Sequence, residues 1–168
     1  ASFNLPQGLT VDSAGVVYVA DTTNQRIRKI TPTGAVTTLA GTGSVLPFSN
    51  GVGTSTATFY LPRGVAVDGN GNVYVGDTSN HRIRLILPNG TVSTFAGSGS
   101  GTWADGSGIS AAFNLPLHLS IAANGNLLVA DLFNHRIRMI TPLGIVTTIA
   151  GGSTASFLDS FGSASLFN

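Results

Sequence analysis

Short apolar runs alternate with turn residues along the whole chain, and this pattern is typical of an all-β protein. The stretch 64–97 contains four such runs, GVAVD, NVYVGD, RIRLI and TVSTFAG, which are rich in β-branched and aromatic residues. The segments between them, GNG, TSN and LPNG, carry the Gly, Asn and Pro residues that tight turns favour. The pattern therefore predicts four short antiparallel strands joined by tight turns.

The same four-strand pattern occurs three times, with a period of about 55 residues. One phenylalanine holds an equivalent position in each copy and again near the end of the chain: Phe3, Phe59, Phe113 and Phe167. We divide the single domain 1–168 into repeat 1 (1–56), repeat 2 (57–110) and repeat 3 with a C-terminal overhang (111–168). A small sheet cannot cover both of its apolar faces, whereas sheets packed around an axis can. The repeats therefore predict a β-propeller with one four-stranded antiparallel blade per repeat, three per chain.

The composition excludes several kinds of site and partner. Eight Lys and Arg face seven Asp and Glu, a net charge of +1, which lacks the basic excess typical of nucleic-acid binding. No apolar run approaches the ~20 residues that span a bilayer, so we expect no membrane partner. The absence of cysteine excludes disulfides, thiolate metal sites and a Cys nucleophile. Because the first residue is Ala1 rather than Met, we expect a mature product, a fragment or a trimmed chain.

An octet of the form D-x-x-N-x-R-x-R ends the second strand and begins the third in every repeat. Its members are Asp21, Asn24, Arg26, Arg28, Asp77, Asn80, Arg82, Arg84, Asp131, Asn134, Arg136 and Arg138. Asp and Asn side chains accept backbone N–H groups in turns. Arginines two residues apart lie on one strand face, where they can bond to turn carbonyls or carboxylates. We interpret the octet as structural, a turn plus an anchor, since a catalytic group is rarely needed three times.

These strings resemble the NHL repeat over essentially the whole chain. The resemblance rests on VYVADTTNQRIRKITPTG, LPRGVAVD, the octet and the V-T-T-x-A-G ends of repeats 1 and 3. It implies a β-propeller, which in this family most often has six blades. The long repeat of about 55 residues is similar to that of large bacterial surface proteins and teneurin-like proteins. This similarity implies an extracellular or cell-surface parent protein.

Three blades do not close a ring, and this predicts self-association. The terminal repeats are no more polar than the middle one, since their strands carry Val17, Val19, Ile27, Ile30, Leu127, Val129, Ile137, Met139 and Ile140. Joining two flanks at two seams would bury roughly 2,000 Å² or more, the size of an obligate interface. We therefore expect a homodimer with two-fold symmetry and six blades. A nine-bladed trimer, or an excerpt of a longer propeller, is the alternative.

Three residues are candidates for binding a metal. His118 stands where repeats 1 and 2 have Gly8 and Gly64, on the strand that lines a propeller channel, and two such imidazoles could hold a metal with water. Asp105 and Asp159 lie in the long linkers, but one carboxylate per loop is far from a calcium cage. The linkers also align Phe48, Trp103 and Phe157, which we expect to lie between blades. The expectation is that no metal or cofactor is bound.

The remaining octet position argues against a shared metal site. It is His81 in repeat 2 and His135 in repeat 3 but Gln25 in repeat 1, and Gln is a poor ligand for zinc or copper.

The leading functional hypothesis is a non-enzymatic scaffold or binding module that presents loops and a channel mouth to a protein, peptide or glycan. The sequence contains no evident nucleophile–base pair, paired carboxylates or metal-ligand spacing, so we expect no catalytic residues. The alternative is a metal-dependent enzyme, because some propellers related to the family resemble lyases or lactone hydrolases with a metal at the channel mouth. Asp12 and Asp68 end the inner strands, but repeat 3 has Ala122 there. RNA binding needs more basic residues than Lys29, Arg63 and the octet supply.

Overall fold

The computed structural model describes residues 1–45, 48–156, 158–160 and 162–167, which form three antiparallel sheets. The first sheet, blade 1, contains β1 (Pro6–Val11), β2 (Val17–Asp21), β3 (Arg26–Ile30) and β4 (Val36–Ala40) in the order of the chain. Sheet topology and register repeat in the other two blades.

Blade 2 consists of β5 (Gly51–Val52), β6 (Pro62–Val67), β7 (Val73–Asp77), β8 (Arg82–Ile86) and β9 (Thr91–Ala96), in the order β5-β9-β8-β7-β6. Blade 3 consists of β10 (Gly106–Ser107), β11 (Pro116–Ile121), β12 (Leu127–Asp131), β13 (Arg136–Ile140) and β14 (Ile145–Ala150), in the order β10-β14-β13-β12-β11. Each blade runs antiparallel from an inner strand (β1, β6, β11) outwards. The all-β prediction with antiparallel propeller blades is confirmed.

Blades 2 and 3 have a fifth strand that the sequence pattern did not predict. The two-residue strand β5 pairs with β9, and β10 pairs with β14. Each comes from the linker that follows the preceding blade, so it lies in the sequence interval of one repeat and in the sheet of the next. Such a strand is too short to show alternation, and only its partner strand defines it. Among the described residues, blade 1 has no fifth strand on β4.

Turn residues behave as their chemistry predicts. In the turn between β8 and β9, the amide of Gly90 donates to the carbonyl oxygen of Leu87 at 2.8 Å, and Gly90 has φ +84°. Each octet forms a short 3₁₀ turn (Thr22–Asn24, Thr78–Asn80, Leu132–Asn134) that ends at a left-handed residue. That residue is Gln25, His81 or His135.

The core lies between adjacent blades. Phe59 is fully buried with Ile27 and Val75 between blades 1 and 2. Phe113 is buried with Ile83 and Val129 between blades 2 and 3. The inner strand β6 packs against both β1 and β11, so the three blades follow one another around a common axis. Within the described ranges, no helix has the length and apolar character needed to cross a bilayer.

Candidate functional site

The octet of blade 2 forms a buried ion pair at the end of its second strand. Oδ2 of Asp77 lies 2.8 Å from Nη1 of Arg84, and both side chains are fully buried. Asp77 also accepts hydrogen bonds from the amide of Tyr60 (2.8 Å) and from Nδ2 of Asn80 (3.0 Å). Burial raises the pKa of the Asp77 carboxyl, and Arg84 opposes that rise. These bonds join a strand end, a turn and the entering linker.

The same arrangement occurs in the other two blades. The ion pair is Asp131–Arg138 at 2.8 Å in blade 3 and Asp21–Arg28 at 3.0 Å in blade 1. The side chain of Arg138 is fully buried, whereas that of Arg28 is 13% exposed. Asn134 donates to Asp131 at 2.8 Å in the same way as Asn80 does in blade 2. The octet residues thus occupy equivalent positions at the strand–turn–strand junction of all three blades.

The free ends of two octet arginines hold the linkers in place. Nη2 of Arg84 donates to Oδ1 of Asn50 at 2.7 Å and to the carbonyl of Ser49 at 2.9 Å. Nη2 of Arg138 donates to Oδ1 of Asp105 and to the carbonyl of Ala104, both at 2.7 Å. These bonds fix each linker to the blade at the residue that directly precedes its short fifth strand. Among the described residues, Nη2 of Arg28 donates no hydrogen bond.

In blades 2 and 3, the first arginine of the octet contacts an aromatic ring of the linker that enters the blade. Arg82 lies 4.1 Å from the ring centre of Phe48, and Arg136 lies 4.4 Å from that of Trp103. These are cation–π contacts that stabilise the linker against the blade. Phe157, which the sequence aligns with these two rings, lies outside the described residues.

The Gln/His position of the octet connects neighbouring blades, a role that sequence reasoning missed. Oε1 of Gln25 accepts the amide of Leu61 at 2.6 Å, and Nδ1 of His81 accepts the amide of Leu115 at 3.1 Å. Both leucines begin the next blade. Burial, aided by the charge of Arg82, lowers the pKa of His81, which keeps Nδ1 free to accept. The signal in the sequence was the alternation of Gln with His, since both side chains carry a hydrogen-bond acceptor.

A threonine makes a second contact between blades. The hydroxyls of Thr22 and Thr78 donate at 2.8 Å to the carbonyls of Pro62 and Pro116, the first residues of the next inner strands. Blade 3 has Leu132 at this position, which cannot donate, and Leu132 is exposed.

The metal candidates are not brought together. Asp105 is engaged by Arg138 and by the hydroxyl of Thr148 at 3.1 Å. Asp159 and His118 are exposed at separate places in blade 3 and its overhang. Within the described ranges, no three His, Cys, Asp or Glu side chains approach closely enough to share a metal ion.

Blades 1 and 3 each leave one flank uncovered. On the inner strands, Leu9 of blade 1 is 71% exposed, whereas Val65 at the equivalent place in blade 2 is 4% exposed. On the other flank, blade 3 carries a largely apolar cavity of about 260 Å³ beside Ile137. Its lining is Ala130, Asp131, Leu132, Phe133, His135, Arg136, Ile137 and Phe167. In blades 1 and 2 the matching isoleucines, Ile27 and Ile83, are fully buried under the next blade.

Comparison with known sequences identifies the repeats. The sequence model of the NHL repeat matches residues 3–30 and 59–84. Human NHL repeat-containing protein 2 is 34% identical over 155 residues, which cover 83% of this chain and 21% of that protein. The chain thus spans about a fifth of the length of this relative.

Solved structures show the same fold. A protein of unknown function from Bacteroides thetaiotaomicron matches with a TM-score of 0.76 and 25% identity, over 97% of this chain and 40% of that one. A catalytically inactive virginiamycin B lyase from Staphylococcus aureus, solved with quinupristin, matches with a TM-score of 0.59 and 19% identity, over 86% of this chain and 40% of that one. At that identity the likeness concerns the fold alone. Repeat pattern, octet geometry and these matches together place the chain in the family of NHL-repeat β-propellers.

Proposed function

We propose that this chain is a non-enzymatic scaffold that completes a propeller by pairing with a second copy of itself. The observation that carries the proposal is the pair of open flanks on blades 1 and 3. Three blades joined to three more, with one two-fold axis, make a six-bladed ring without a free blade face. The assembled ring then presents its loops and channel mouth to a protein, peptide or glycan.

The open flank of blade 3 has the character of an interface. Around the cavity, Leu132 is 42%, Phe133 60% and Phe167 39% exposed. Exposed aromatic and aliphatic side chains around a concave apolar surface are typical of protein contacts. Moreover, Leu132 replaces the threonine that makes a polar contact in the internal junctions, which favours an apolar seam at this flank.

The mass of the protein in solution tests this proposal. Light scattering coupled to size exclusion should give twice the chain mass of 17.1 kDa at micromolar concentration. A folded chain that stays monomeric at this concentration would contradict the proposal, and a mass three times that of the chain would replace the six-bladed ring with a nine-bladed one.

The alternative function is a metal-dependent enzyme with a site at the channel mouth. It is addressed by metal analysis of the purified protein alongside a His118→Ala variant. We expect no stoichiometric metal in either protein. A stoichiometric ion that disappears in the variant would favour the enzyme.

A further inference from the structure

We propose that the overhang of one copy, described at residues 158–160 and 162–167, supplies a fifth strand to blade 1 of a second copy, with Asp159 bound to Arg28 of that copy. The inference rests on the proposed pairing of two chains and specifies which surfaces meet. The observation behind it is that the chain contains two complete linker-to-blade contacts of this kind. The two surfaces that would form a third such contact lie at opposite ends of the chain.

The two complete contacts show what such a contact requires. In both, a linker adds a two-residue strand to the outermost long strand of the next blade, pairing Gly51 with Val92 and Gly106 with Val146. The residue before that strand, Asn50 or Asp105, accepts a hydrogen bond from Nη2 of the buried octet arginine. A linker strand and an arginine contact therefore occur together.

One half is the overhang, whose described residues repeat three features of the linkers. Leu158 and Leu166 form an antiparallel bridge, as Ala104 and Ala112 do in the linker between blades 2 and 3. The amide of Gly151 donates to the carbonyl of Gly162 (3.4 Å), a bond equivalent to that from Gly97 to the next linker. A 3₁₀ turn at Gly162–Ala164 repeats the one at Gly108–Ser110.

Asp159 stands at the place of Asn50 and Asp105 in this preformed overhang. It is exposed, and it forms no hydrogen bond or ion pair with any described residue. Its sequence equivalents are both bound to an arginine of the blade that follows. No such blade follows Asp159 among the described residues.

The other half is the outer edge of blade 1. Within the described ranges, no fifth strand pairs with β4, and Nη2 of Arg28 has no hydrogen-bond acceptor. Nη1 of Arg28 donates to the carbonyl of Ser2 at 3.4 Å. This distance is longer than those of the equivalent hydrogen bonds from Nη1 of Arg84 (2.9 Å) and Arg138 (3.0 Å). Leu166 stands at the place of Ser2 in the repeat, so the incoming overhang can replace this weaker contact.

A second copy is the occupant because both halves belong to the same chain at opposite ends of the arc. The Asp159 carboxylate and Nη2 of Arg28, neither of which is bonded to a described residue, would form a charge-assisted hydrogen bond with each other. Two-fold symmetry uses each half once per chain, so the ring has two identical seams. Extending the internal register places Ser160 of one copy opposite Val36 of the other.

A cysteine pair tests this register directly, because the chain contains no cysteine of its own. The variant Val36→Cys with Ser160→Cys should oxidise to a disulfide-linked dimer, visible on a non-reducing gel, since opposed strand residues have the Cα spacing that a disulfide needs. A positive control is Ser107→Cys with Ile145→Cys, which are already paired within blade 3 and should link within one chain. A negative control is Val36→Cys with Ser107→Cys, which should give no linked dimer.

A series at Asp159 tests the charged contact without touching the fold, because this side chain is exposed. Asp159→Asn should keep the dimer, as Asn50 keeps the contact to Arg84. Asp159→Ala should raise the dimer dissociation constant about tenfold or more, and Asp159→Lys further, since each seam loses a charge-assisted hydrogen bond. Sedimentation equilibrium measures all four proteins.

The outcomes separate the two proposals. A monomeric wild-type protein would contradict the proposed pairing of two chains itself. A wild-type dimer that neither links through Val36→Cys with Ser160→Cys nor responds to Asp159→Lys would leave the pairing intact and overturn the strand exchange. A disulfide-linked dimer of the Val36→Cys with Ser160→Cys variant, combined with a dimer affinity that falls from Asp159→Asn to Asp159→Ala to Asp159→Lys, would establish the strand exchange.

Discussion

A Cβ atom on Gly64 would collide with the carbonyl oxygen of Leu117, so the inner strands of blades 2 and 3 approach each other where only a hydrogen atom fits. The same holds for Gly8 against Arg63 between blades 1 and 2. The third equivalent residue is His118, whose Cβ in this register points away from blade 2 and towards the open flank. At a seam on this flank the inner strands therefore cannot approach as closely as they do in the internal junctions.

The first prediction is that His118→Gly strengthens the dimer. Removing the side chain allows the inner strands of the two copies to approach as they do inside the chain, which buries more surface at both seams. We expect a dissociation constant lower by several-fold, measured by sedimentation equilibrium. The control is Gly64→Ala, which should lower the free energy of unfolding by about 1–3 kcal/mol through overpacking. A weaker dimer for His118→Gly would show that the seam does not bring these strands together.

The second prediction concerns the pH dependence of stability. Burial lowers the pKa of His81 below its usual value of 6.5, so the folded protein resists protonation there. As the pH falls below 6.5, the unfolded chain takes up this proton and the folded chain does not. The contribution of His81 to the free energy of unfolding should thus be complete above about pH 6.5, and it should be lost as the pH falls from there through the lower pKa of the folded protein. Protonated Nδ1 can no longer accept the amide of Leu115.

Repeat 1 provides the matched control for this prediction. His81→Gln reproduces Gln25, which makes the same bond to Leu61 without titrating. Urea unfolding midpoints at pH 7.5 and 5.5 should differ more for the wild type than for this variant. Equal differences would mean that His81 does not control the junction between blades 2 and 3.

The third prediction concerns the buried ion pair. Asp77→Asn keeps the shape of the side chain but leaves the charge of Arg84 buried without its carboxylate. Removing one partner of such a pair typically costs about 3–5 kcal/mol. The equivalent change Asp21→Asn should cost less, because Arg28 is partly exposed and water can solvate it. Equilibrium unfolding in urea at one fixed protein concentration compares the two, and equal losses would contradict the role of burial.

The fourth prediction separates folding from assembly by means of two equivalent isoleucines. Ile83 is fully buried between blades 2 and 3, whereas Ile137 lines the open cavity of blade 3. Ile83→Asp should prevent folding, because it places an unpaired charge in the core. Ile137→Asp should leave the circular dichroism spectrum native but yield a monomer and a lower melting temperature. An Ile137→Asp protein with unchanged mass and melting temperature would contradict burial of this flank.

Much of the architecture follows from local patterns in the sequence. Alternating Val residues and Asn-Gly turns specify strands wherever they occur, and their threefold recurrence identified the blades. The octet was interpreted as a turn plus an anchor, and in the structure Asn80 of the turn and Arg84 of the following strand both donate hydrogen bonds to Asp77. Turn chemistry and strand periodicity involve neighbours within a few residues, which is why these features were readable.

The candidate site was only partly readable. His118 was assigned to the channel from its strand, but the direction of its Cβ relative to the next blade requires the packing of inner strands. His81 was judged only as a poor metal candidate, because its acceptor role depends on Leu115, 34 residues away in the next blade. Asp105 was considered for calcium, and its partner Arg138 becomes evident only when the linker docks.

The sequence by itself determined the strands and turns of a blade and the number of repeats in the chain. Each of these depends on interactions between residues close in the chain. The tertiary structure decided which blade each linker joins, which side chains connect neighbouring blades and which flanks stay bare. Those features depend on distances between segments that the chain brings together only when it folds, and no local pattern encodes them.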